Sequence, residues 1–158
     1  MTAVQNGRYT AHMDSDFVVF IIGMRINKLW KIHKWIGPFI AMPRMLRQLQ
    51  AQPDRGLLGT RMAVGGRTVT IVQYWRSFDH LEAFAKNTND PHLPAWKAFN
   101  NKVGTSGDVG VYHETFTVGV GMFESIYSNM PVMGLAAAGT SVAVGKRSDT
   151  ARARIARG

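Results

Sequence analysis

Histidine carries most of the side-chain chemistry open to this chain. Its 158 residues include five histidines and no cysteine, so disulfides, thiolate nucleophiles, cysteine-ligated metals and iron–sulfur clusters are excluded. A neutral imidazole can take a proton at about pH 7. His92 stands between Pro91 and Pro94 in "NDPHLPAWKAFN" (89–100), with Trp96 and Phe99 following. His113 lies in "VGVYHETFTV", and His33 lies in "LWKIHKWIGPF" with Trp30 and Trp35. His12 and His80 read as exposed and take no role. No His-x-x-x-His or His/carboxylate spacing stands out, so no metal site is expected. No glycine-rich loop follows a strand, which argues against a nucleotide cofactor. Arg25 ends an apolar run, where it can hold a carboxylate or enolate bidentately.

The elements that must position these groups are legible from periodicity. "DFVVFIIGMRIN" (16–27) is apolar at both parities, which predicts a strand covered on both faces. In 28–50, Leu29, Ile32, Ile36 and Phe39 or Ile40 recur at helical spacing, and Gly37-Pro38 and Pro43 predict two helical pieces. Lys28, Lys31 and Lys34 interleave with the aromatics there. That pattern also suits a membrane-surface helix, but the favoured reading is a core helix with its lysines reaching outward.

"GLLGTRMAVGGRTVTIVQYW" (56–75) predicts a hairpin around Gly65-Gly66. Ser77 caps a helix over "FDHLEAFAKN", and Asp90 with Pro91 starts another. "GDVGVYHETFTV" (107–118) is a strand, and 121–129 holds one more short strand. Alternation puts His113 with Val109, Val111 and Thr115 on one face, with Tyr112, Glu114 and Phe116 on the other. His113 is therefore expected to be buried or to line a cavity.

The order is that of an α+β, ferredoxin-like split βαββαβ with an antiparallel sheet and helices on one face. The first strand still needs a cover for its second face. A second copy of the sheet would supply it, giving a homodimer.

We expect an N-terminal arm over 1–14, the domain over 15–130, and over 131–158 a Gly/Ala-rich segment leading into a basic, disordered tail. Residues 145–158 carry five Lys/Arg against one Asp, within a formal net charge of +9. The tail reads as a solvated one, with neither nucleic acid nor membrane as the expected partner. The polar start lacks the apolar core of a secretion signal, which together with the missing cysteines fits a cytoplasmic protein.

"WRSFDHLEAF" and "DPHLPAW", taken with "FVVFIIGMRINKLWKIHKW" and "GDVGVYHETF", resemble the dimeric α/β-barrel superfamily of the antibiotic-biosynthesis monooxygenases. Within it they resemble the monooxygenase-like branch that includes a fumagillin-pathway oxygenase. The resemblance covers about residues 8–135. It implies a homodimeric α/β barrel, with a hydrophobic pocket between sheet and helices. It also implies oxidation of a small apolar metabolite, aromatic or polyene, by dioxygen without metal or flavin. The expected base is then His92 or His113, and Asn27 and Arg25 are polar anchors. His33, Trp30, Trp75, Trp96 and Tyr127 would belong to the pocket. Haem is the alternative cofactor, because relatives use it. Lys97 stands where haem-degrading relatives place their ligating histidine, and that disfavours their mode of binding. A non-catalytic binder of an apolar ligand or of a membrane surface is the reading from another class.

Overall fold

The structure is a computed structural model, and it describes residues 3–87, 97–99, 101 and 104–155. Four strands form the larger sheet: β2 (Phe17–Ile26), β3 (Leu57–Gly65), β4 (Thr68–Trp75) and β5 (Val109–Val118). Their order is β3-β4-β2-β5 and every pairing is antiparallel. Helix α1 (Ile32–Gln50) joins β2 to β3, and α2 (Phe78–Lys86) follows β4. This is the ferredoxin-like plan that the periodicity predicts.

Local chemistry explains the joints. Gly65 pairs with Thr68, so the hairpin turn is Gly66-Arg67, one residue beyond the expected pair. Gly66 has φ 56°, a conformation that glycine adopts without a Cβ penalty. Ser77 caps α2 by accepting the His80 N–H at 3.3 Å. Helix α1 is one continuous helix of 19 residues, not two pieces, with Pro38 and Pro43 inside it. Each proline deletes one backbone bond, to the carbonyls of Lys34 and Phe39 respectively. Leu46 and Leu49, both buried, anchor the half that follows.

The two parities of β2 serve two cores. Val18 and Phe20 pack with Leu49, Leu57, Trp75, Leu81 and Phe84 beneath the helices. Phe17 and Val19 face the other way, toward Ala11, Met13, Leu135 and Ala136. Those residues belong to a second, three-stranded sheet in the order β6-β1-β7. It comprises β1 (Val4–His12), β6 (Tyr127–Pro131) and β7 (Thr140–Ala143), with the short α3 (Leu135–Ala138) against it.

This corrects two expectations. The arm expected over 1–14 contains a strand. The basic tail expected to be disordered contains a 3-10 turn at Lys146–Ser148 and α4 (Ala151–Ile155). The short strand expected within 121–129 is β6, in the second sheet, and α3 and β7 lie in the Gly/Ala-rich segment. Arg154, buried, ties α4 down through Nε to Glu124 Oε1 at 2.6 Å and through Nη1 to the Asp149 carbonyl at 2.8 Å. Arg8 on β1 pairs with Asp149.

The second face of β2 is therefore covered at one end by the chain itself. At the other end, Ile21, Gly23 and Arg25 lie beside Glu114, Tyr112 and Gly110 of β5 and beside Val72, Thr70 and Thr68 of β4. No element among the described residues lies over them. The Tyr112 ring crosses Gly23, where a Cβ would come within 2.1 Å of it. Its hydroxyl sits 3.0 Å from Thr70 Oγ1. β5 is an edge strand, exposed from Val111 to Thr117, so His113 is exposed and not buried.

Candidate functional site

Between α1 and the larger sheet lies a cavity of about 40 Å³, lined by Ile22, Met24 and Ile71 of the sheet, Pro38, Phe39 and Met42 of α1, and Phe99 and Val111. The even residues of β2 build its floor because alternation turns them toward the helix. Its walls carry apolar side chains only. Ligand clefts for small molecules run to roughly 300–1,000 Å³. The cavity is smaller than that, and Pro38, in its wall, marks where α1 lacks a backbone bond.

His113 stands at the margin of this cavity. Ile22, its cross-strand partner, and Val111, its neighbour on the same face, both line the cavity. Its ring packs against Phe20 with centroids 5.7 Å apart. Arg25 and Asn27 come together, with Arg25 Nε donating to Asn27 Oδ1 at 3.2 Å. Asn27 Nδ2 in turn donates to the Gly107 carbonyl at 3.0 Å. Arg25 has the odd parity of β2 and projects from the face opposite the cavity.

Three of the expected pocket aromatics, Trp75, Tyr127 and Trp30, lie elsewhere. Trp75 is fully buried in the core, donating from Nε1 to Gln73 Oε1 at 2.9 Å. Tyr127 packs in the other core and accepts the Ala136 N–H at 3.4 Å. Trp30 is 74% exposed, and His33 is exposed in the first turn of α1. His92 and Trp96 lie outside the described residues. Trp35, which the sequence singles out less, packs with Phe99, Val109 and Met24 beside the cavity.

Sequence reasoning missed Asp108. Its carboxylate is buried at the start of β5, where Lys31 Nζ donates to Oδ2 at 2.8 Å and Lys28 Nζ lies 2.9 Å from Oδ1. Its carbonyl accepts the N–H groups of Asn27 and Lys28 at 3.0 and 3.1 Å. The lysine contacts, Lys31 foremost, hold the carboxyl well below the usual carboxylate range against the opposing effect of burial. The cluster fastens the entry of α1 to β5. The only hint in sequence was two lysines three apart before an apolar helix. On the second face, burial, with Tyr127 nearby, raises the pKa of Tyr74.

Among the described residues no three His, Asp or Glu side chains cluster in a way that could hold a metal ion. Among the described residues no histidine is in the lining of the cavity. No helix among the described residues is long and apolar enough to cross a membrane.

The fold is thus an α+β, ferredoxin-like sheet whose candidate site is an apolar cavity beneath its first helix. The chain belongs to the monooxygenase af470-like family, whose model matches residues 17–135. Among solved structures it is similar in fold to an aldoxime dehydratase, with a TM-score of 0.56 and 13% identity, over 99% of this chain and 45% of that one. It also matches SnoaB, a cofactor-independent oxygenase from Streptomyces nogalater, with a TM-score of 0.44 and 13% identity, over 65% of this chain and 93% of that one. No curated protein matches the chain significantly.

Proposed function

We propose that the protein is a monooxygenase that oxidises a small, mostly apolar metabolite, aromatic or polyene, without metal or flavin. The observation that carries this reading is an apolar cavity with the His113 imidazole at its margin, in a chain of a monooxygenase family. Apolar walls hold a flat ligand through burial and offer it no orienting polar group. His113 accepts the proton of an acidic hydroxyl or C–H group on the substrate. The resulting electron-rich anion reacts with dioxygen: one oxygen atom enters the substrate, the other leaves as water, and the substrate supplies the electrons. A second copy of the chain covers the open half of the sheet, where Tyr112 is exposed.

Dioxygen uptake with phenolic and polyene substrates tests the chemistry. The expected result is substrate-dependent uptake that His113→Ala reduces by about a hundredfold, the scale of a lost general base. Uptake unchanged in that variant would remove His113 from the mechanism. Sedimentation velocity tests the dimer.

A further inference from the structure

The second sheet has an opening of its own. Ala11 of β1 turns into the core with Met13 and Leu135. Alternation turns its neighbours Thr10 and His12 to the other face, together with Val142 of β7, the cross-strand partner of Thr10. These residues and the segment that follows β7 line a cleft of about 550 Å³. That is the size of a small-molecule site, roughly 300–1,000 Å³. Every lining residue falls outside 17–135, so the cleft is no part of the site beneath α1.

The charge of the cleft identifies what it takes. Lys146, Arg147 and Arg154 are in its lining, and no carboxylate is. Arg154 is matched by Glu124, and Asp149 is taken up by Arg8. Lys146 and Arg147 are exposed, and among the described residues neither has an ion pair or a side-chain hydrogen bond. The turn that carries them is held in place. Arg154 Nη1 donates to the carbonyls of Ser148 and Asp149 at 3.1 and 2.8 Å, and the Gly145 N–H donates to Ser148 Oγ at 3.0 Å. Two unmatched cations on a pinned turn are a ready receptor for an anion. Val142, 43% exposed in the same lining, offers an apolar surface beside them.

We propose that this cleft binds a small organic anion. Lys146 and Arg147 hold its carboxylate or phosphate head, and its apolar body covers Val142. The basic end of the chain is then one wall of a second binding site, set on the sheet that the family model leaves out. The proposal is independent of the oxidation proposed above.

The test is isothermal titration calorimetry of the full chain with hexanoate, hexyl phosphate, hexanol and inorganic phosphate. We expect one or both of the organic anions to bind, more weakly as salt rises. The tighter of the two identifies the head as carboxylate or phosphate. Hexanol and inorganic phosphate should each bind about tenfold or more weakly, since each lacks half of what the cleft offers. Lys146→Ala/Arg147→Ala should also weaken binding about tenfold or more, with its melting temperature kept because both side chains are exposed and unpaired. Arg47→Ala/Lys86→Ala removes the same charge from two helices outside the lining and should bind like the parent. No binding of either organic anion, or equal binding by the Lys146/Arg147 variant, would overturn the proposal. So would inorganic phosphate binding as tightly as hexyl phosphate, which needs no apolar wall, or hexanol binding as tightly as hexanoate, which needs no cation.

Discussion

Trp75 offers a test of where the core ends and the cavity begins. Its indole N–H and the Gln73 carbonyl oxygen satisfy each other at 2.9 Å inside the core. Trp75→Phe keeps an aromatic ring against Phe84 but removes the donor. Leaving that buried carbonyl without a partner costs about 1–3 kcal/mol. The ring atoms lost add about 1–2 kcal/mol of missing burial and packing. The single variant should therefore be about 2–5 kcal/mol less stable than the parent. Placing Gln73→Met in the same background removes the orphaned polar group and should return about 1–3 kcal/mol. Urea unfolding measures this through the midpoint at constant slope. A double variant less stable than Trp75→Phe alone would refute the hydrogen-bond argument. A single variant of parental stability that loses affinity for apolar ligands would return Trp75 to the pocket.

Two further outcomes follow from the same geometry. Val111→Phe at the lip of the cavity should block binding of an uncharged apolar dye, followed by fluorescence titration, while stability changes by less than about 1 kcal/mol. Unchanged dye binding would place the ligand site elsewhere. Asp108 has a depressed pKa in the folded state, so its stabilising contribution is complete above the ordinary carboxylate value of about 4 and is lost as pH falls below it. Asp108→Asn should therefore be less stable than the parent at neutral pH, with the gap narrowing in acid, as read from urea midpoints across that range.

Much of the ferredoxin-like sheet was legible because each of its strands announces itself locally. The doubled apolar parity of β2 called for two covers, and two cores meet it. The alternation of β5 put His113 on the correct face. Its exposure was not legible, because an edge position depends on which strands pair. The second sheet was hidden for the same reason: Val4 pairs with Pro131 and Tyr9 with Ala143, and no window of sequence holds both partners. The stripe on α1 has the right period, but period fixes a face without saying whether the sheet reaches it. Asp108 escaped notice because its meaning comes from Lys28 and Lys31 meeting it in space.

The placing of β1 between β6 and β7 bears on how the molecule is made. β1 leaves the ribosome well before both of its partners, which follow it after the whole of the larger sheet. Until they are made it is a strand with two open edges, the kind of segment that pairs with the wrong neighbour. Its sequence suits that wait: "VQNGRYTAH" is polar and interrupted by Gly7, a poor template for aggregation. The larger sheet can assemble while synthesis continues, but the second closes only once β6 and β7 have been made. β1 is made before the strands of the larger sheet and is paired after them.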